Sequence, residues 1–192
     1  MTFPVRVALA AALVSTTLAA SAAVAAPSAW TVDKAASKLG FRSSFGGDAF
    51  TGTFRRWDAQ IVFDPKQLAA SKATVSIDLT SAATGDSSRD EALPSDDWFA
   101  AKKFPRATFT TTGFKSLGGN KYQAAGTLTI RGVAKPLVLP FTLAIAGDVA
   151  KMNSSVVLNR SAFGVGQGEF KSAESVPLNV TVDIALTARR AK

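Results

Sequence analysis

Long segments in which apolar and polar residues strictly alternate restrict this chain to extended, antiparallel β structure more than any other feature. The clearest is the C-terminal run 175–187, in which one parity holds Val176, Leu178, Val180, Val182, Ile184 and Leu186. Period-two alternation of this length predicts a strand with one buried face and one wet face. Segments 121–131 and 73–80 repeat the pattern. In 137–146 one parity is bulky, with Leu137, Leu139, Phe141, Leu143 and Ile145.

Further strands are predicted between turn signals. They cover 37–44, 49–57, 59–64, 107–114 and 149–160. Glycine pairs and an Asp-Pro step mark the turns between them. About eight or nine strands result, in one domain that we place at 28–192. Several long antiparallel strands hide their edges completely by closing into a barrel. We therefore predict an all-β, eight-stranded antiparallel β-barrel, while a filled barrel or a β-sandwich also fits the pattern.

The segment 84–105 has no alternation and predicts a short helical insert. Ser87 or Ser88 is expected to cap a first helix that Pro94 stops after Leu93. Asp96 is expected to cap a second short helix through Trp98, Phe99 and Lys102.

The chain of 192 residues contains neither cysteine nor histidine. This composition excludes thiolate metal sites and every histidine-dependent catalytic relay. The adjacent pair Asp96-Asp97 is better suited to helix capping than to shared catalysis. The acidic group Asp86, Asp90 and Glu91 lacks the pattern of a Ca²⁺ loop. We therefore expect no catalytic residue, no metal site and no enzymatic activity.

The first 25 residues have the pattern of a cleaved secretory signal peptide. Arg6 gives a weakly positive start, 7–20 is apolar, and Ala23-Val24-Ala25 offers a cleavage site before Ala26. A membrane anchor or an amphipathic helix is the alternative, but the apolar run is short for a membrane span. We expect export, with the periplasm as the destination in a bacterial source.

The formal net charge of +8 raises the question of an anionic partner. The cations are scattered and do not interleave with aromatic residues, so a solvated basic surface is the simpler interpretation. We expect no nucleic-acid binding, whereas transient contact with a membrane surface or a membrane redox protein stays open, as does a homodimer.

Several short motifs, in order and spacing, carry a resemblance across nearly the whole mature chain. They are W-T-V-D at 30–33, S-K-L-G-F at 37–41, F-T-G-T-F at 50–54, R-D-E-A-L at 89–93, G-T-L-T-I-R-G-V-A-K-P at 126–136 and L-N-R-S-A-F-G-V-G at 158–166. The chain resembles the YceI-like family of secreted, lipocalin-like, polyisoprenoid-binding proteins. The resemblance implies an extended lipocalin-like barrel with an apolar tunnel for a polyisoprenoid lipid or quinone. Many relatives carry a histidine near the S-K-L-G-F strand, so no role of that histidine transfers to this chain.

Candidate ligand-binding residues are the interior-facing aromatic and aliphatic side chains and one arginine. They are Phe41, Phe45, Phe50, Phe54, Ile77, Trp98, Phe99, Phe104, Phe109, Leu128, Ile130, Leu139, Phe141, Leu158, Arg160 and Phe163. Arg160 shares parity with Val156 and Leu158 and would point inward on a regular strand. It then either binds a head group at a barrel mouth or is an end-of-strand arginine that extends to water or pairs with an acid. Arg42, of the opposite parity to Leu39, is expected outside.

These observations predict a periplasmic protein that sequesters or carries a long-chain apolar lipid, with a polyisoprenoid of quinone type as the expected guest. The alternatives are a carrier of fatty-acid-like amphiphiles and a barrel that serves only as the scaffold of a stress-response or interaction protein.

Overall fold

The alternating segments form strands in the computed structural model, which describes residues 26–191. The predicted signal peptide at 1–25 lies outside the described residues. The elements are β1 Ala29–Val32, β2 Lys38–Phe45, β3 Asp48–Phe54, β4 Trp57–Val62, β5 Lys72–Asp78, β6 Ala82–Ala83, α1 Ser87–Ala92, β7 Arg106–Gly118, β8 Lys121–Ile130, β9 Val133–Ala146, β10 Val149–Asn159 and β11 Asn179–Arg190.

The strands close into one antiparallel barrel. The order β4-β5-β7-β8-β9-β10-β11 is completed by β1, which pairs with both β4 and β11. β2 continues β1 along β11 and pairs with β3, and β3 in turn pairs with β6. The pairs β1/β2, β3/β4 and β5/β6 thus act as three interrupted strands. Together with β7 to β11 they make the predicted eight-stranded barrel, which is confirmed.

The predicted inward parity of β9 is also confirmed. Leu139 and Phe141 are buried, whereas Val138 on the other parity is 52% exposed. β8 and β9 are joined by Arg131 and Gly132, with φ of 50° and 75°. Two consecutive positive φ values fit the tight hairpin turn that matches the right-handed twist of the flanking strands.

The ladder between β9 and β10 ends early. It runs only from Val149–Ala146 to Asn153–Thr142, although both strands continue. Leu143 donates its N–H to Asn120 on the β8 side, so strand alternation turns the nitrogens of Pro136 and Pro140 toward β10. Proline has no N–H to donate. The backbone ladder between β9 and β10 is therefore interrupted from these positions onward, and we call this interruption the seam. The Ser154 hydroxyl bridges it by donating to the Pro140 carbonyl at 2.6 Å.

One end of the barrel is sealed by an aromatic cluster. The ring of Phe63 packs 5.1 Å from Phe114 and 5.9 Å from Tyr122, measured between centroids. Phe141 stacks on Tyr122 at 5.5 Å. Trp30 Nε1 donates to the carbonyl of Phe63 at 2.9 Å. We call these five residues the aromatic plug.

The opposite end is covered by the segments 84–105 and 160–178. Asp86, rather than the expected Ser87 or Ser88, caps α1 by accepting the N–H of Arg89 at 3.0 Å.

No helix within 26–191 has the length and apolar character needed to cross a membrane.

The predicted second helix at Asp96 is wrong, and turns replace it. The Asp97 carbonyl accepts N–H groups from Gly166 and Gln167 at 2.9 and 2.7 Å. Nη1 of Arg131 donates to the carbonyl oxygens of Asp96 and Trp98. Because these oxygens bond to distant residues, they are not available for the i to i+4 bonds of a helix.

Candidate ligand-binding cavity

The inward faces of the strands enclose a cavity of about 650 Å³. Alternation turns one side chain in two toward it, and these are mostly aliphatic or aromatic. The polar residues in its lining are Ser43, Thr84, Asp86, Ser88, Arg89 and Arg160. A space of this size with so few polar groups suits an apolar guest.

The cavity lies between the aromatic plug and the covered end of the barrel. Phe109, Leu128 and Leu139 line it in the barrel wall. At the covered end the lining comes from Ala92 of α1 and from Leu93 directly after it. The loops contribute Trp98, Phe163, Val165 and Phe170, among others. Trp98 and Phe170 rings are 5.0 Å apart and join the two covering segments.

Fourteen of the sixteen predicted site residues line this one cavity. They are Phe41, Phe45, Phe50, Phe54, Ile77, Trp98, Phe99, Phe109, Leu128, Ile130, Leu139, Leu158, Arg160 and Phe163. Their contact with a ligand stays a prediction.

Phe141 and Phe104 do not belong to the lining. Phe141 has the expected inward parity, but its position along the barrel places it in the aromatic plug. Phe104 precedes β7 and its ring covers Gly132, where a Cβ would lie 2.6 Å from the ring edge. Both are therefore packing residues rather than parts of the cavity wall.

Arg160 reaches the cavity but its guanidinium is already bonded. Nε donates to the Pro177 carbonyl at 3.0 Å and Nη1 to Val165 at 2.9 Å. Nη2 donates to Ser172 and Val176 at 2.9 and 2.8 Å. Four of its five N–H groups are taken. The alternative of an arginine that extends to water or pairs with an acid is thus wrong, since Arg160 is buried and bonded to backbone carbonyls. These bonds leave one N–H group, and contact of Arg160 with a head group stays a prediction.

The Arg160 contacts hold the covering loop 160–178 to the end of β10. Burial lowers the pKa of the guanidinium, and the carbonyl oxygens replace the water it loses. A Cβ at Gly166, which has φ of 84°, would lie 1.9 Å from Nη1. This close contact explains why residue 166 is a glycine. In the sequence, the glycine-rich run 164–168 indicates only a loop.

A group of polar side chains lies where α1 meets the cavity. Arg89 Nη2 is 3.5 Å from Asp86 Oδ2, and its guanidinium lies over the Phe50 ring at 4.8 Å. Thr84 donates from both its N–H and its hydroxyl to Asp90, at 2.6 and 2.7 Å. These bonds lower the pKa of Asp90, chiefly through the Thr84 hydroxyl.

The predicted site omitted some residues of the cavity wall, although the alternation in the sequence indicated that they face inward. Val180, Val182, Ile184 and Leu186 on β11 line the cavity and share the parity seen in the sequence. Ser43 was also missed. It lies between Phe41 and Phe45 on the inward parity, and its Oγ is buried without a hydrogen-bond partner.

Within 26–191 the side chains form no cluster of three or more acidic residues that would hold a metal ion.

Arg42 lies on the outer face of β2, as its parity predicts, and pairs there with Asp183 at 2.6 Å.

Comparison with known proteins finds relatives over most of the chain. The model of the YceI-like domain matches residues 30–188. A UPF0312 protein of Pseudomonas syringae pv. tomato is 32% identical over 150 residues, which are 74% of this chain and 78% of that protein. Protein YceI of Escherichia coli O157:H7 is 41% identical over 97 residues, half of each chain.

Solved structures with the same fold include that of Burkholderia cenocepacia BcnA. It is 36% identical with a TM-score of 0.78, and the match covers 81% of this chain and 98% of BcnA. A polyisoprenoid binding domain from Saccharophagus degradans, implicated in plant cell wall breakdown, has a TM-score of 0.66 at 17% identity. That match covers 85% of this chain and 99% of the domain, and it shows a likeness of fold.

Proposed function

Since the chain belongs to the YceI-like family, we propose that it is an exported binding protein that sequesters or carries a long apolar lipid in its barrel. The proposed guest is a polyisoprenoid of quinone type.

The apolar cavity is the observation that carries this proposal. Its volume of about 650 Å³ lies within the range of small-molecule sites. Each CH₂ group that leaves water contributes about 0.8 kcal/mol, so ten contribute about 8 kcal/mol before the cost of ordering the chain. The wall therefore favours an apolar tail strongly, while discriminating little between tails of similar width.

Support for the isoprenoid class comes from the fold neighbour of Saccharophagus degradans, which is described as a polyisoprenoid binding domain. The aromatic plug seals the far end, so we propose that the tail points toward it and the polar end lies under the covering segments. Export to the periplasm is supported by the sequence pattern of residues 1–25.

Binding without catalysis is part of the proposal. The titratable residues of the lining are Asp86, Arg89 and Arg160. Asp86 and Arg89 face each other, and Arg160 is bonded to backbone carbonyls. Each of these groups thus already has a structural partner.

Two neighbouring valines of β10 supply a matched test. Val156 lines the cavity, whereas Val157 is 59% exposed on the outer face. Val156→Trp should fill the cavity and abolish guest binding, and Val157→Trp should leave it unchanged. Protein purified without detergent is extracted with organic solvent, and the extract is analysed by mass spectrometry.

We expect about one polyprenyl molecule per wild-type barrel and none in Val156→Trp. Equal guest content in both variants would contradict binding in the cavity. Fatty acids in the extract would support lipid binding in the cavity but contradict an isoprenoid guest. An empty wild-type protein that takes up no added polyprenyl quinone would overturn the function.

A further inference from the structure

Ser43 is the polar residue of the β2 wall that faces the cavity without a partner. Its Oγ is buried and makes no hydrogen bond in the structure. Buried hydroxyl groups are nearly always bonded, because leaving one unpaired forfeits its hydrogen bonds to water. An apolar residue here would complete the wall at lower cost, so the hydroxyl needs a separate explanation.

The position of Ser43 along the barrel places it near α1. It pairs across the strands with Phe50, and the guanidinium of Arg89 lies over the ring of Phe50. The polar lining residues Thr84, Asp86, Ser88 and Arg89 belong to this same end of the cavity. The remaining polar lining residue, Arg160, also lies at the covered end, and the lining toward the aromatic plug is apolar. A guest with one polar end and one apolar tail therefore has a single orientation that matches the lining.

We propose that Ser43 Oγ hydrogen-bonds an oxygen on the polar end of the guest, and that this end is a neutral group such as a quinone carbonyl or a hydroxyl. The proposal rests on the proposed function and adds the residue and the head-group class to it.

The charges around this end favour a neutral head over a phosphate. Arg89 is 3.5 Å from Asp86, and Arg160 has given four of its N–H groups to backbone carbonyls. Tight phosphate binding uses cations whose donors are free to form charge-assisted bonds. A diphosphate placed here would have to compete with Asp86 for Arg89, whereas a neutral oxygen needs only the hydroxyl of Ser43.

Three probes with the same C15 tail and different heads test this assignment. They are farnesol, farnesyl diphosphate and the hydrocarbon farnesene. Binding to the delipidated protein is followed by intrinsic fluorescence, because Trp57 and Trp98 line the cavity. The variants are Ser43→Ala and, as the matched control, Ser44→Ala, which deletes a hydroxyl from the next residue of β2, on the opposite parity and outside the cavity lining.

We expect Ser43→Ala to weaken farnesol binding about three- to ten-fold, the usual effect of one neutral hydrogen bond. Farnesene binding should stay the same or tighten, and Ser44→Ala should change the binding of neither probe. Farnesyl diphosphate should bind no more tightly than farnesol. In the absence of guest, Ser43→Ala should unfold at the same temperature as wild type or higher, because the deleted hydroxyl has no partner.

Ser43→Ala that leaves farnesol binding unchanged, or weakens farnesol and farnesene equally, would overturn the Ser43 contact and leave the proposed function intact. Diphosphate binding ten-fold tighter than farnesol would overturn the neutral head. A lower unfolding temperature of guest-free Ser43→Ala would show an intramolecular role and also overturn the contact. Failure of wild type to bind farnesol and farnesene alike would instead contradict the proposed function itself.

Discussion

The tip of the Phe41 ring occupies the space that any side chain at Gly52 would need. The two residues pair across β2 and β3, and a Cβ at Gly52 would lie 2.2 Å from Phe41 Cζ. The missing side chain lets Phe41 lean toward Phe54, at 5.4 Å between ring centroids. Phe99 continues this row at 6.0 Å from Phe54. Gly52 therefore sets the position of one aromatic side of the cavity.

Gly52→Ala is expected to force the Phe41 ring out of its place. The overpacked wall should lower the free energy of unfolding by about 1–3 kcal/mol, and the displaced ring should change the guest capacity of the cavity. Gly113→Ala on β7 is the control, because a Cβ there meets nothing within 4 Å. Urea unfolding of both variants checks this. Equal stabilities would contradict the steric role of Gly52.

Arg160→Met should destabilise the covering loop. It removes the donors of four carbonyl groups, at Val165, Ser172, Val176 and Pro177. Hydrogen bonds to a charged group each contribute about 1.5–3 kcal/mol, so we expect a loss of about 3 kcal/mol or more. Arg160→Lys should recover only part of this, because an ammonium cannot span four oxygens in a plane.

The control for Arg160 is Arg42→Lys, which alters the exposed pair with Asp183. Exposed pairs contribute about 0–1 kcal/mol, so its unfolding midpoint in urea should barely move. An Arg160→Met protein as stable as this control would show that the carbonyls are satisfied by water.

The barrel could be predicted from the sequence because each long strand repeats a simple alternation. Val182 and Ile184 face inward while Asp183 faces outward, and a single shift of register would reverse all three. Alternation gives the face of a residue but not its height in the barrel. Leu139 and Phe141 share a face, yet only Leu139 lines the cavity.

The covering segments could not be predicted in the same way, since their backbone bonds join residues far apart in sequence. The Asp97 carbonyl, for example, accepts N–H groups about seventy residues away at Gly166 and Gln167. By local capping rules, Asp96 is a suitable first residue of a helix. No neighbouring residue in the sequence indicates that distant N–H groups bind the carbonyls a helix would need. The inward parity of Arg160 was correct, but its carbonyl partners lie in a loop without periodicity.

Asp90 should make stability depend on pH below about pH 4. Its two bonds from Thr84 hold its pKa below the ordinary value of about 3.9. A depressed carboxyl pKa stabilises the fold fully above the unfolded pKa, and the contribution is lost as pH falls through the folded pKa. Asp90→Asn should therefore cost about 1 kcal/mol at pH 7 and 5, and less at pH 3.

Unfolding in urea at these three pH values measures the difference between wild type and Asp90→Asn. Glu91→Gln, at an exposed neighbour on α1, should match wild type throughout. If the difference in unfolding free energy between wild type and Asp90→Asn stays constant down to pH 3, its cause is steric rather than the loss of a carboxylate.

The seam between β9 and β10 should be visible in amide hydrogen exchange. Arg160 donates its N–H to Leu178 on the β11 side, so alternation turns the N–H groups of Ser155 and Val157 toward β9. Both lie beyond Asn153, where the β9 ladder ends. The ladder with β11 spans all of β10, so Ser154 and Val156 are internal controls.

We expect Ser155 and Val157 to exchange about ten-fold faster than Ser154 and Val156, because their amides open without breaking a ladder bond. The cause is tested by Pro140→Ala, which gives β9 back a donor facing β10. In this variant the ladder should extend past Asn153 and the exchange of Ser155 should slow toward that of its neighbours. Equal protection of all four amides in the wild-type protein would show that the wall is closed there and that the two prolines do not open it.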